Sequence, residues 1–240
     1  MADEPLILKD EPAIGIAGNP PETAQAVEAP LVATPRGGKC YLFLKRAFDI
    51  VVSFVALCVL LLPMLLVSVA IVIDSPGSPI YVSRRIGKDG REFRFFKFRS
   101  MYKDADRHIE ELLKYNEVDG GVTFKMKDDP RITRVGKFLR KTSIDELPQL
   151  LNIFLGDMSF VGPRPCTPRE YVLYSERDKL RLLVPQGLTG EWQVHGRSNT
   201  TFAEMIDMDL SYITEKQSLF YDICLMFATV GAVLSHKGAE

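Results

Sequence analysis

Between Asp49 and Asp74 the chain runs for 24 residues without a charged side chain. This stretch, "IVVSFVALCVLLLPMLLVSVAIVI", limits the fold more than any other feature. As one straight α-helix it would be about 36 Å long, enough to cross a hydrocarbon core of about 30 Å. Pro63 interrupts it. Proline removes a helical N–H, and its ring clashes with the carbonyl of Val59, which predicts a sharp bend. Lys45 and Arg46 precede the run, while Arg84, Arg85 and Lys88 follow it. Cytoplasmic flanks carry the excess of Lys and Arg, so both ends are expected on the cytoplasmic side. A helix broken at Pro63, entering and leaving one leaflet, meets both conditions. Its halves of 13 and 10 residues would each be about 15–20 Å long, near half a bilayer. A kinked spanning helix is the alternative, and the residues by themselves leave the two open.

The whole chain of 240 residues suits one sizeable domain with accessory segments. Residues 1–38 are rich in Ala, Pro and Glu, lack a period of 2 or 3.6, and predict a disordered tail. They do not have the basic start and apolar core of a signal peptide. A net charge of −1 selects no class of partner. The four cysteines, Cys40, Cys58, Cys166 and Cys224, form no CxxC pair and no zinc spacing. Cys58 and Cys224 lie in apolar runs, so buried, reduced thiols are expected. His108, His195 and His236 are far apart, and none is assigned a catalytic role.

After the apolar run, "RRIGKDGREFRFFKFRSM" alternates basic and aromatic residues around a GKDG turn, predicting two short strands. Beside a membrane segment this strip suits anionic lipid or a membrane-bound phosphate better than nucleic acid. A solvated edge strand is the plainer alternative. Helical spacing recurs over 103–118 through Ala105, Ile109, Leu112 and Leu113. It recurs in a short helix showing Ile132, Val135, Phe138 and Leu139, and in "DELPQLLNIFLGDMSF", stopped near Gly156. "VGPRPCTPRE" predicts a stiff turn and "ERDKLRLLVPQGLTG" a helix and loop. The 16 mainly apolar residues from Leu219 to Leu234, interrupted by Asp222, are short for a span and predict an interfacial or packed helix.

Within "LRKTSIDELPQLLN" two carboxylates, Asp145 and Glu146, stand side by side. "SIDE" fits a capping box with Ser143 as N-cap and Glu146 at N3. Pro148 favours instead Asp145 as N-cap, with the proline at N3, where no helical bond is lost. Either register puts both carboxylates at a helix N-terminus, which favours anions and bound phosphate alike. Arg140 lies five residues before Asp145, and Arg164 is fixed between prolines in "GPRP". Guanidiniums match diphosphate oxygens well. A carboxylate pair with Mg²⁺, these arginines and a membrane segment suits phosphoryl transfer to a lipid acceptor. Salt bridges and an ordinary helix cap are the structural alternative.

The segments "KRAFDIVVS", "RRIGKDGREFRFFKFRSM", "DPRITRVGKFLRKTSIDELPQLLNIFLGDMSFVGPRP" and "GLTGEWQVHGRS" together resemble the bacterial sugar transferases. These are the monotopic phosphoglycosyl transferases, or polyprenyl-phosphate hexose-1-phosphate transferases. The resemblance runs from about Lys45 to Ala239 and is closest to the small form of the family. It implies a reaction in which a UDP-hexose and polyprenyl phosphate give polyprenyl-diphosphate-sugar and UMP, initiating exopolysaccharide or related glycan assembly. It maps the nucleophile, through an aspartyl phosphosugar, to Asp145, and Mg²⁺ binding to Asp145 and Glu146. Phosphate or substrate binding maps to Lys97, Arg140, Arg164, Gln193 and Arg197. Glu191 and His195 fall at variable places in the pattern, which leaves open a part in sugar choice or none.

The expected fold is α+β and mainly helical. It is a monotopic membrane protein with a Pro-broken re-entrant helix and a compact cytosolic catalytic domain. The expected divisions are a tail over 1–40, a re-entrant helix over 41–75, a catalytic domain over 76–215, and a membrane-associated amphipathic helix over 216–240. Expected partners are a UDP-hexose (glucose or galactose by analogy), polyprenyl phosphate and membrane lipid, without nucleic acid and with a homodimer allowed. The expected location is the cytoplasmic face of a bacterial inner membrane. A non-catalytic membrane-anchored scaffold that binds anionic lipid, and a one-step transferase, are the rival readings.

Overall fold

The computed structural model describes residues 33–103, 105, 126, 129–196 and 200–234. Nearly all of the expected helix over 103–118 lies outside them, as do His108, Arg197 and His236.

The apolar run forms α1, Lys39–Asp74, a single helical element with Pro63 inside it rather than two elements divided there. Among the described residues it is the one helix long and apolar enough to cross a membrane. Phe48, Val52, Ala56, Leu57 and Leu60 lean on the main core, and Met64 and Val67 on a smaller one around Phe98 and Leu139. Val51, Phe54, Val55, Leu62, Leu66 and Val69 are exposed. Cys58 is exposed on this helix too, and Cys224 is exposed near the other end of the chain. The expectation of burial fails for both, because these apolar helices turn only one face to the protein. All four thiols are free, as expected.

Polar contacts fasten the helix at both ends of its apolar run. Asp49 accepts a hydrogen bond from the Phe160 N–H at 3.1 Å, and Asp74 one from the Val135 N–H at 2.9 Å. Lys45 pairs with the buried Asp222 at 2.6 Å, whose carboxylate also accepts from the Tyr41 and Tyr212 hydroxyls. Just ahead of the helix, the Arg36 N–H donates to the Ile213 carbonyl and the Gly37 N–H to Gln217. The end of the expected tail is therefore bonded to the folded part.

Strands β1, Ile80–Ile86, and β2, Glu92–Phe98, form the expected hairpin around GKDG. Its register pairs Tyr81 with Lys97, Ser83 with Phe95, and Arg85 with Phe93. Because side chains alternate, Tyr81, Ser83, Arg85, Phe93, Phe95 and Lys97 share one face. Helix α2, Arg134–Lys141, follows, with the Thr133 hydroxyl accepting from the Gly136 N–H at its start. It lies directly on the chain beyond β2: a Cβ at Gly136 would stand 1.9 Å from the Ser100 carbonyl oxygen. A tight turn, Ile144–Glu146, leads into α3, Gln149–Leu155, which Gly156 ends with φ +96°. The elements after it are β3, Met158–Val161, then α4, Pro168–Val172, α5, Glu176–Lys179, and β4, Gln186–Thr189. They continue with α6, Glu191–His195, α7, Phe202–Ser211, and α8, Leu219–Leu234. β3 and β4 pair in parallel, a pairing absent from the sequence reading, which takes "GLTG" as loop. Helix α8 packs through Leu225 into the core of Phe95, Leu150, Ile153, Val161 and Ile213. Its Phe220, Phe227 and Val230 face outward.

One side chain joins the hairpin to α3. Asn152, with no solvent exposure, accepts from the Phe96 N–H at 3.1 Å and donates to the Arg94 carbonyl at 2.5 Å. Its amide thus satisfies backbone groups on the free edge of β2. The far end of α3 is held by Arg46, which donates to the Ile153 and Phe154 carbonyls at 2.7 and 2.8 Å, where a cation also suits the helix dipole. Replacing Asn152 by Ala leaves the part-buried Phe96 N–H and Arg94 carbonyl without this partner, at about 1–3 kcal/mol each, and removes a fully buried side chain. We expect Asn152→Ala to lose about 2–5 kcal/mol in chemical denaturation; a loss below 1 kcal/mol would contradict this role.

Candidate active site

The carboxylate pair sits where α2 ends and α3 begins. The Thr142 hydroxyl folds back on the Phe138 carbonyl at 2.8 Å. Ser143 then takes a left-handed conformation, φ +55°, uncommon for a residue other than glycine. This kink starts the turn that carries Asp145 and Glu146. Neither expected cap register is realised. Ser143 makes no side-chain cap, and Pro148 occupies the N-cap position of α3 rather than N3. The left-handed Ser143 and the tight i→i+3 bonds that follow it, from the Glu146 N–H to the Ser143 carbonyl at 3.2 Å and from the Leu147 N–H to the Ile144 carbonyl at 3.1 Å, take the place of either cap.

The two carboxylates differ in their surroundings. Glu146 is paired with Arg164, Nη1 to Oε1, at 3.1 Å. Asp145 is 8 % exposed, and among the described residues it makes no ion pair. Burial, and next the charge of Glu146, push its carboxyl up to about 6 against the pull of Lys97, Arg140 and Arg164. Lys97 reaches the site from β2 with its ammonium 5.7 Å from the Tyr81 ring centroid. Burial, opposed by the charge of Asp145, brings its ammonium down to about 8. Arg140 comes from the last turn of α2, where its Nε donates to the Ser100 hydroxyl at 2.9 Å. The close contact at Gly136 sets that distance. Arg164 comes from the loop after β3. Five of the sequence-predicted site residues, Asp145, Glu146, Lys97, Arg140 and Arg164, are thus assembled from four separate segments.

Gln193 is not brought to the dyad by any contact among the described residues. Its buried amide lacks a hydrogen-bond partner and lies against Gly190, where an added Cβ would stand 2.8 Å from its Oε1. Arg197 is outside the described residues. Glu191 is 6 % exposed and held by Lys216 at 2.7 Å and the Tyr221 hydroxyl at 2.5 Å, so it links α6 to α8. His195 is exposed and lies 3.4 Å from Glu191. Asn152 and Arg85 escape the sequence reading. Asn is a weak helix former, and in the apolar helix "QLLNIFL" it was the available signal. For Arg85 the signal was its even spacing along β1 from Tyr81, which pairs with Lys97.

Among the described residues no three or more His, Cys, Asp or Glu side chains gather as a protein-only metal site. Mg²⁺ is usually held by one or two carboxylates together with substrate phosphates, and the Asp145–Glu146 pair fits that donor set. The arrangement offers a carboxylate that ionises near neutral pH in the field of cations suited to phosphate oxygens.

Residues 40–236 match the family described as bacterial sugar transferase. The chain is 42 % identical to a UDP-galactose-lipid carrier transferase of Erwinia amylovora over 82 % of this chain and 42 % of that protein. It is 41 % identical to the exopolysaccharide production protein ExoY of Sinorhizobium fredii over 81 % of this chain and 87 % of that protein. Identity is 38 % to the UDP-glucose:undecaprenyl-phosphate glucose-1-phosphate transferase of Escherichia coli, over 88 % of this chain and 44 % of that protein. The chain therefore spans less than half the length of the first and third of these relatives.

Ionised Asp145 is a cost to the fold. An unfolded Asp ionises near 3.8, the folded one near 6. Stability is therefore lost as pH rises through that interval and stays lost above it, by up to about 3 kcal/mol. Asp145→Asn should melt at higher temperature than wild type at pH 8, and the difference should vanish near pH 4. Equal melting temperatures at pH 8 would refute the buried, unpaired state of this carboxylate.

Proposed function

Because the chain belongs to the bacterial sugar transferase family, we propose that it transfers a hexose-1-phosphate from a UDP-hexose to a polyprenyl phosphate at the start of exopolysaccharide or related glycan assembly. The relatives' names carry galactose, N-acetylgalactosamine and glucose, and we take glucose or galactose as the hexose. The observation that carries the reading is Asp145, nearly buried, without an ion pair among the described residues, and in the field of Lys97, Arg140 and Arg164. An Asp145 carboxylate oxygen attacks the sugar-bearing phosphorus, and the bond from that phosphorus to the bridging oxygen breaks. UMP leaves with that oxygen and its electron pair. A polyprenyl phosphate oxygen then attacks the same phosphorus and releases the carboxylate. Two displacements on one carboxylate divide a difficult transfer into easier steps. Lys97, Arg140 and Arg164 hold the phosphate oxygens, and Glu146 keeps Arg164 in place. We assign Mg²⁺ to Asp145 and Glu146 together with the diphosphate; when bound it neutralises phosphate oxygens.

Purified protein in membrane mimetic, given a panel of UDP-hexoses, should release UMP. Without lipid acceptor it should gain the mass of one hexose phosphate. Asp145→Asn should do neither while staying folded, and excess EDTA should stop turnover. Substantial turnover by Asp145→Asn sinks the covalent route, and no UMP release with any UDP-hexose favours the scaffold.

A long apolar helix and the family together point to membrane association. We propose further that α1 is re-entrant and that the catalytic part lies on the cytoplasmic face. In support, Asp49 and Asp74, at opposite ends of the apolar run, both accept backbone hydrogen bonds from the same folded part. A spanning helix would carry one of them across the bilayer. Cysteines placed at residues 42 and 78, in a background without native cysteines, should both label only from the cytoplasm. Pro63→Leu restores a helical bond and removes a clash, so it should admit some label at 78 from outside and lower activity. External labelling of residue 78 in the otherwise native sequence would replace re-entry by a span.

A further inference from the structure

Arg85 has no part in the reading above. It projects from β1 on the same hairpin face as Lys97. Its guanidinium carbon lies 5.2 Å from the Phe95 ring centroid. Nη1 makes a long hydrogen bond of 3.3 Å to the Pro165 carbonyl, next to Arg164. Glu170 is 4.0 Å away, but its Oε2 already accepts from the Thr167 N–H at 2.6 Å. The Arg85 Nε is buried without a hydrogen-bond partner, and so is the Ser83 hydroxyl beside it on the strand. Arg164 is the cation whose charge bears most on Arg85, whereas Lys97, Arg140 and Arg164 are the cations that act on Asp145. The carbonyl that Arg85 reaches belongs to Pro165, the neighbour of Arg164, so Arg85 borders the site on the side of the loop that carries Arg164.

In-line displacement fixes what belongs there. The group leaving the attacked phosphorus departs on the side opposite the Asp145 oxygen. The second attack on the same phosphorus must come from that same side. The departing nucleotide phosphate and the arriving lipid phosphate thus use one position in turn. We propose that Arg85, with the Ser83 hydroxyl, is the ligand for that shared position, gripping the UMP phosphate as it leaves and the polyprenyl phosphate as it arrives. The proposal rests on the two-step reading of the site. A planar guanidinium with an unused N–H suits a phosphate whose charge grows as the bond to it breaks.

The test compares wild type with Arg85→Gln and Arg85→Lys in nanodiscs. UMP affinity is measured by direct titration, polyprenyl phosphate KM by steady state, and Asp145-bound phosphosugar by mass at saturating UDP-hexose. Arg85→Gln should weaken UMP binding and raise the polyprenyl phosphate KM in parallel, each by about tenfold or more. The trapped phosphosugar should still reach the wild-type amount. Arg85→Lys should recover part of both losses; should Arg85→Gln not fold, the Lys variant decides, with a few-fold loss in both. Unchanged UMP affinity, or a change in one constant without the other, overturns the proposal. So does a lowered amount of trapped phosphosugar, which would show that Arg85 only props the loop carrying Arg164. If wild type traps no phosphosugar, the two-step reading fails by itself, and the UMP titration still decides whether Arg85 binds that phosphate.

Discussion

A buried carboxylate beside a second carboxylate is an unfavourable arrangement, and the site is organised around offsetting it. Asp145 is almost removed from water while Glu146 adds a like charge next to it. Isolated, such a group would simply stay protonated. Lys97, Arg140 and Arg164 bring its ionisation back to near-neutral pH without pairing with it, so the oxygen stays available. Glu146 is neutralised by its own arginine. The two neighbouring carboxylates thus have different partners, Glu146 an arginine at 3.1 Å and Asp145 only the more distant field of three cations.

Those cations come from segments far apart in the chain, so the backbone contacts between the segments set the site's precision. Gly136 lets α2 touch the backbone at Ser100, which brings Arg140 beside β2. Asn152 bonds the free edge of β2, which brings Lys97 opposite the turn before α3. Arg46 closes the far end of α3 from the membrane helix. The candidate site and the long apolar helix are therefore mechanically continuous: the same short helix that follows the dyad is capped by a residue of α1.

The anchor shows a related economy. Asp49 and Asp74 bound the apolar run and are bonded to backbone N–H groups of the domain. Charges at those places would be costly in lipid; as acceptors they hold the helix against β3 and α2. The exposed row from Val51 to Val69 and the outward side chains of α8 are left for an apolar surrounding.

The sequence by itself determined the elements whose signal is local. The long apolar helix, the hairpin around GKDG and the stop at Gly156 are set by residue type and spacing over a few turns, whereas the helix runs through Pro63 as one element instead of dividing there. The pairing of Asp145 with Glu146 and the fixing of Arg164 between prolines are local as well. Tertiary structure decided the rest, because it depends on distance between segments. That Ser143 would turn left-handed instead of capping a helix, that Glu191 would be consumed by Lys216 and Tyr221, and that β3 and β4 would pair in parallel are outcomes of packing. The same is true of Asn152 and Arg85. An asparagine inside an apolar helix and one arginine of an RR pair carry no role until a strand edge lies beside the first and a second guanidinium beside the other. Burial and the field of neighbouring charges, which only the folded chain supplies, set the ionisation of Asp145 near neutral pH.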